Sequence, residues 1–391
     1  MKILYVISST TPFGGASKSF LTLVRYMQRM GVTPLVIVPD ENGLCADLKE
    51  SGIEYRVAFF RWGVSPPVDT VKDKLLFIPR IFGRLYANWK GTRQVCSIAR
   101  TFEPDIIHTN VSVINIGYRA ARKLHIPHVW HLREYGDLDF HWHYLPSRRH
   151  FIHALHKSGS YSICITHALA AYNGLLNSAQ SRVIYNGIVP SVESAPQNTS
   201  LEREPFFLFA GHIEPAKGVY EMIRAYAACV NQMSTRHSLW IAGKVTVPDY
   251  FCEIQKLIRE AHLENDIVFL GELSNLSEYM QKAKSVIIPS HSEAFGRVMP
   301  EAMYNNALVI AHDKAGSKEQ LDNGLQLTGK EIGLRYADEE ELSRLMLQVA
   351  KEGLHPYADM IARAQRTVCE LYSNDQYTKN VLSFYKYIVQ Q

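Results

Sequence analysis

Short apolar runs alternate with helical stretches along this chain, and the alternation occurs twice. The first series opens with Lys2-Ile-Leu-Tyr-Val-Ile-Ser8 as a strand and continues through a helix at Ser17–Met30, with Phe20, Leu21, Leu23, Val24 and Met27 at helical spacing. Gly31 stops that helix and Pro34–Val38 forms the next strand. Strands at Ile106–His108, His128–His131, Ser162–Ile165 and Arg182–Tyr185 follow, with a helix near Val113–Leu124. Apolar runs without polar alternation are strands buried on both faces. Joined by helices, they make a parallel sheet covered on two sides.

The pattern lapses between Val189 and Pro205 in a polar, Pro-bearing stretch. It then restarts with Phe206–Ala210, a helix from Lys217, Ser238–Ala242, a helix at Tyr250–Ala261, then Ile267–Leu270, Ser285–Ile288 and Leu308–Ile310. The expected fold class is α/β, with two doubly wound Rossmann-like domains at 1–188 and 206–374 and a linker at 189–205. The tail from Asp375 to Gln391 carries a helical aromatic stripe (Tyr377, Phe384, Tyr385, Ile388) and is expected to cross back onto the first domain. A length of 391 residues also asks for two domains.

Composition narrows the class. Apolar residues at 47% and charged residues at 20% exclude disorder, collagen and coiled coil. No apolar run approaches a membrane span, and the start of the chain reads as a strand and not as a signal peptide. Six scattered cysteines without a C-x-x-C point to thiols in a reducing cytoplasm. Residues 1–190 hold 22 Lys/Arg against 12 Asp/Glu, and residues 191–391 hold 20 against 26. A basic half joined to an acidic half argues against nucleic acid, which needs a continuous basic stripe, and suits a first half that meets an anion.

In open parallel sheets ligands bind beyond the carboxyl ends of the strands, and the cleft between two such sheets is the default site. Pro289-Ser-His-Ser-Glu293-Ala-Phe-Gly-Arg-Val-Met-Pro-Glu301 follows a strand. Glu293 lies on the loop, Phe295-Gly296-Arg297 turn the chain, and a helix starts at Val298. Pro300 suits a first helical turn. A helix start offers free N–H groups to a diphosphate, while Glu301 and Glu293 can each accept from the hydroxyls of a sugar. In isolation, an N-terminal-turn carboxylate and an exposed loop Glu would look the same. Phe206–Gly218 reads as strand, loop and helix start, with Lys217 able to reach phosphates as a point charge. Gly14-Gly15, after the first strand, allow close backbone approach.

These stretches together resemble the group 1 (family four) retaining glycosyltransferases of the GT-B fold. Asp105-Ile-Ile-His108, Ile184-Tyr-Asn-Gly-Ile188 and the two Glu separated by seven residues belong to the same likeness, which covers essentially the whole chain. The resemblance implies a nucleotide sugar as donor and a glycan or lipid-linked acceptor in polysaccharide biosynthesis. Neither a cofactor nor a metal is expected. It gives Glu301 the ribose, Glu293 the transferred sugar, and Lys217 the diphosphate, with amides from Gly296 to Val298. Gly14 and Gly15 would close over the diphosphate, with Phe295 and Arg297 also on the donor side. His108, Lys217 and Glu293 take the catalytic roles. Two departures stand out. His212 occupies the place of a usual Arg, which calls for a compensating cation such as Arg297, or for weaker diphosphate binding. His108-Thr-Asn110 lacks the second imidazole of the family's His-x-His, and His131-Leu-Arg133 is the candidate substitute on the acceptor side. A glycosidase acid/base pair, a catalytically silent sugar-nucleotide binder and an epimerase of the same architecture are the other readings.

Residues 72–93 mix aliphatic, aromatic and basic side chains, so this stretch can lie on an anionic membrane. The plainer expectation is a helix that packs Leu76, Ile81, Leu85 and Trp89 on its own sheet, broken in regularity by Pro79 and Gly83. His141, His143, His150, His153 and His156 lack the carboxylate or thiol pattern of a metal site. Trp130, Trp142 and Tyr144 suit either sugar stacking or the core.

Overall fold

The computed structural model describes all residues except 12–14, 69, 191–192 and 197–199, and all described side chains except those of 72, 73, 139 and 140. The chain divides into two units, Met1–Gly187 with Asn374–Gln391, and Ile188–Ser373. Unit 1 holds β1 (Lys2–Val6), β2 (Thr33–Val38), β3 (Glu54–Val57), β4 (Ile106–Thr109), β5 (His128–Leu132), β6 (Ser160–Cys164) and β7 (Ser181–Val183). They form one sheet in the order β3-β2-β1-β4-β5-β6-β7, and every neighbouring pair is parallel. Ile3 is in register with Pro34 on one side and Ile106 on the other.

Unit 2 repeats the plan. Its strands are β8 (Phe206–Ala210), β9 (Ser238–Ala242), β10 (Ile267–Gly271), β11 (Ser285–Ile288), β12 (Val309–His312) and β13 (Leu334–Tyr336). The order is β10-β9-β8-β11-β12-β13, again all parallel. In both sheets the order reverses beside the first strand, between β1 and β4 and between β8 and β11. Consecutive loops leave in opposite directions there, which opens a crevice at the carboxyl edge.

Each unit has its own core. Phe207, Phe209, Met222, Tyr226, Ile241, Ile254 and Ile287 anchor that of unit 2. In unit 1 the helix Gly15–Arg29 packs beside the tail helix Asn374–Val389. Phe20, Val24 and Met27 share a core with Tyr377, Phe384, Tyr385 and Ile388. The tail stripe therefore does bury on the first unit, from Asn374 onward. The stretch expected as a linker is part of unit 2: Ile188 and Val189 N–H donate to the Tyr372 carbonyl at 2.8 and 3.2 Å, and Asn306 and Gln365 both donate to the Pro196 carbonyl.

Two expectations on helices need correction. The helix expected from Val113 begins at Ile116. Val71–Phe102 is one helix of 32 residues with Pro79 inside it. Leu76, Leu85 and Trp89, expected against the sheet, are exposed at 37, 44 and 48%. Burial starts only further along, at Ala87, Asn88, Thr92, Val95, Cys96 and Ala99, so apolar identity did not reveal which part of the helix the sheet covers.

Phe384 is 2% exposed and meets Tyr161 edge-on at 6.1 Å. Phe384→Ala is expected to destabilise unit 1 by about 3–5 kcal/mol, read as a lower urea midpoint. An unchanged midpoint would refute docking of the tail.

Candidate functional site

The strand-order reversal of unit 2 brings together the loops after β8 and β11. Pro215–Lys217 is a single 3₁₀ turn, and Gly218 (φ 67°) leads into the helix Val219–Cys229. A Cβ on Gly218 would stand 2.1 Å from the Pro289 carbonyl oxygen, so only glycine lets the two loops touch. The His291 amide donates to the Ala216 carbonyl at 3.0 Å and joins them. Lys217 thus lies just before the helix and not in its first turn. Its ammonium donates to Glu293 Oε1 at 2.7 Å, with each side chain about one-fifth exposed.

The Glu293 carboxylate folds over Gly296 (φ 83°), whose Cβ position lies 3.0 Å from Oε2. The next residue, Arg297, donates to Glu301 Oε1 at 3.0 Å, one turn into the helix Val298–Tyr304. Two cations and two carboxylates therefore flank one turn of chain. Such partly exposed pairs hold little energy of their own, so they can exchange partners with a ligand.

The turn is clamped from behind by residues that sequence reasoning missed. Gly316 N–H donates to the Glu293 carbonyl at 2.9 Å, and the Gln320 amide donates to the carbonyls of Phe295 and Gly296. Nothing local marks a Gln some 25 residues downstream as a partner. The Phe295 ring, expected on the donor side, is 3% exposed and meets Tyr372 edge-on at 5.3 Å. Its geometry is that of a loop anchor. His212 is exposed on the loop after β8. Gly14 lies outside the described residues, and Gly15 opens the first helix.

In unit 1 the other candidates meet in the interior. Arg133, at the end of β5, donates to Asn110 Oδ1 at 2.9 Å, to Asn186 Oδ1, and to the Tyr377 hydroxyl at 2.9 Å. A guanidinium only donates, so His131 Nδ1, 3.4 Å from Arg133 Nη2, is an acceptor. His108 Nε2, 3.2 Å from that same Nδ1, then carries the proton. His108 Nδ1 accepts from the Tyr385 hydroxyl at 2.6 Å. Both histidines are 0% exposed. Both nitrogens of His108 are therefore occupied within unit 1. Arg133 binds the tail helix through Tyr377 and His108 through Tyr385, and Asn110 and His131 join that network through Arg133 and His108. Trp130 and Tyr144 are buried, whereas His141, His143, His150, His153 and His156 are exposed.

Comparison with known proteins follows the same division into halves. Residues 13–192 match the model of Glycosyltransferase Family 4, and residues 192–367 match that of Glycosyl transferases group 1. Together the two glycosyltransferase models span residues 13–367. It is 26% identical to the N-acetyl-alpha-D-glucosaminyl L-malate synthase of Bacillus anthracis over 39% of this chain and 42% of that protein. It is 30% identical to the O-antigen chain mannosyltransferase RfbU of Salmonella typhimurium over 38% and 40%. The chain thus spans about two-fifths of the length of these curated relatives. Among solved structures, HepE of Anabaena in complex with UDP is 21% identical and superposes with a TM-score of 0.78, covering 99% of this chain and 100% of that one. A glycosyltransferase from Rickettsia africae gives 0.73 at 16% identity, over 100% and 99%. The fold is GT-B, with two Rossmann-like units.

Burial holds the pKa values of His108 and His131 well below 6.5, helped by the Arg133 charge, and pushes His128 down to about 3. All three are neutral when folded and take up protons on unfolding. Their contribution is complete above about pH 6.5 and is lost as pH falls toward the depressed values, at up to about 1.4 kcal/mol per pH unit for each. Urea midpoints at pH 7.5 and 5.0 should show the fall, and equal midpoints would refute it. In unit 2, Gly218→Ala should separate the two loops and lower the thermal midpoint by several degrees; an unchanged midpoint would show the approach is not required.

Proposed function

We propose that this chain is a retaining, metal-independent glycosyltransferase that moves a sugar from a nucleoside diphosphate sugar to a glycan or lipid-linked acceptor. The observation that carries the reading is the meeting of Lys217 and Glu293 from two loops at the reversal point of unit 2, beside the Arg297–Glu301 pair. When donor binds, the ammonium and guanidinium exchange their carboxylate partners for diphosphate oxygens. Glu301 then accepts from the ribose hydroxyls and Glu293 from those of the transferred sugar. The Gly316 and Gln320 clamp keeps the turn in place during the exchange. Uridine is the favoured base, supported by the UDP named with HepE, and polysaccharide synthesis by the name of RfbU.

The bond from the anomeric carbon to the phosphate oxygen breaks as the acceptor hydroxyl bonds to the same face. The acceptor proton passes to the departing phosphate oxygen, so no protein nucleophile or base is needed. Lys217 and Arg297 stabilise the charge growing on the diphosphate, the term that contributes most in such chemistry. Arg297 also supplies the cation that His212 does not.

Sugar transfer by Lys217→Ala should fall about 10²–10³-fold in kcat, while Glu301→Gln should raise the KM for donor with a smaller change in kcat. Activity should persist in EDTA. Full activity in Lys217→Ala, or complete loss in EDTA restored by Mg²⁺, would refute the reading.

We also infer that the helix Val71–Phe102 lies on an anionic membrane. Val71, Leu75, Ile78, Phe82, Leu85 and Trp89 recur every three or four residues and are 44–75% exposed, so they form one uncovered stripe. Lys74, Arg80 and Lys90 are also exposed, and each cation near an anionic surface adds about 1 kcal/mol. Co-sedimentation with phosphatidylglycerol vesicles should be lost in Phe82→Ser/Trp89→Ser and reduced about tenfold or more in Lys74→Glu/Lys90→Glu. Undiminished sedimentation of both variants would refute it.

A further inference from the structure

Unit 1 displays a pair of tryptophans that neither the donor chemistry nor the exposed stripe of the long helix uses. The Trp62 and Trp142 rings meet at 5.1 Å with 61° between their planes. Trp62 is 37% exposed, and Trp142 is partly exposed. An exposed indole is ordinary on a loose loop, but this one is fixed. Its N–H donates to the Ser8 carbonyl at 3.1 Å, on the loop after β1. The helix Val71–Phe102 braces its backbone: Arg84 donates to the Trp62 and Val64 carbonyls at 3.4 and 2.6 Å, and Asn88 Oδ1 accepts from the Arg61 N–H at 2.9 Å. On the other side the Gly63 N–H donates to the Val113 carbonyl at 2.6 Å, and Val64–Ser65 pairs antiparallel with His143–Tyr144. The Trp142 N–H donates to the Gly136 carbonyl at 3.3 Å. The polar atom of the Trp62 ring is therefore satisfied, and what the fold leaves to water is aromatic carbon held in place. Such a surface is stabilised only when something apolar covers it.

The position restricts the occupant. Ser8, Ser112 and Glu134 follow the carboxyl ends of β1, β4 and β5, the edge at which parallel sheets bind ligands. Ser112, next to the Val113 that holds Gly63, donates its N–H and hydroxyl to Glu134 Oε1 at 2.7 and 2.6 Å. A partly exposed carboxylate thus stands in the same loop cluster. A fatty acyl chain or an apolar helix face brings no donor to a carboxylate. A pyranose ring carries both surfaces, C–H groups on a face and hydroxyls around the rim. Aromatic carbon beside a few fixed polar groups is the composition of a small-molecule site.

We propose that Trp62 and Trp142 form a stacking platform for one pyranose ring of the acceptor, with its apolar face on the indoles and its hydroxyls toward Glu134. Calling that sugar the acceptor rests on the transferase reading; the affinity of the platform for a pyranose does not.

The test uses the full chain labelled with 5-fluorotryptophan, in which Trp62, Trp89, Trp130, Trp142 and Trp240 give five fluorine resonances, assigned by substitution one at a time. It is titrated with the methyl α- and β-glycosides of glucose, galactose, mannose and N-acetylglucosamine, and separately with phosphatidylglycerol vesicles. At least one glycoside should shift the Trp62 and Trp142 resonances saturably and leave that of the buried Trp130 in place. Read on the Trp142 resonance, Trp62→Ala should weaken that glycoside about tenfold and Trp62→Tyr only about twofold. Lys217→Ala, which disables the proposed donor site, should bind the glycoside as the wild type does, so failure of the donor reading leaves this result standing. The wild-type titration decides on its own should Trp62→Ala not fold. No shift with any glycoside, shifts with vesicles in place of glycosides, wild-type affinity in folded Trp62→Ala, or loss in Lys217→Ala would each overturn the proposal.

Discussion

Gly218 has no side chain, and the carbonyl of Pro289 fills the space one would need. This close approach lets the loop after β8 lie on the loop after β11, and the other features of the donor-side cluster depend on it. It brings Lys217 to Glu293 across 76 residues of sequence. The backbone bond from His291 to Ala216 holds the register of the contact. With a side chain at 218 the loops would part, and the ammonium would face solvent instead of a carboxylate. The charges of the site are thus set by a steric condition on one backbone position.

The two units use their reversal points differently. In unit 2 the crevice edge presents charged side chains that are partly exposed and paired with one another, a state suited to exchange. In unit 1 the equivalent edge is closed by a buried network of Arg133, Asn110, His131, His108, Tyr377 and Tyr385. Its members come from β4, β5 and the tail helix, so their hydrogen bonds tie the end of the chain to the first sheet. One buried nitrogen of this network, His131 Nε2, has no partner among the described residues.

Much of the donor side was legible because its signals are local. Glu293, Gly296, Arg297 and Glu301 lie within nine consecutive positions, and a strand-to-helix turn forces them into proximity. Lys217 could be suspected because a cation near a helix start is out of place. Gln320 could not, since a glutamine in a helix is ordinary until its partner carbonyls are known. The resemblance gave His108 a catalytic role and Arg133 an acceptor-side one. Their burial depends on the tail helix, whose docking no spacing around residue 108 reveals. The packing expected of Leu76, Leu85 and Trp89 on the sheet failed for a related reason: apolar identity does not tell whether anything covers a face.

By itself, the sequence determined the class of fold and marked residues able to carry chemistry. Short unbroken apolar runs that alternate with helices suit strands buried on both faces of a parallel sheet. The tertiary structure alone decided which loops touch and which polar residues are enclosed. The reason is physical: periodicity records the local hydrogen bonding and the buried face of each element, whereas strand order sets the contacts between elements far apart in the chain. Lys217 and Glu293 meet because β8 and β11 are neighbours, and that adjacency is a property of the folded sheet.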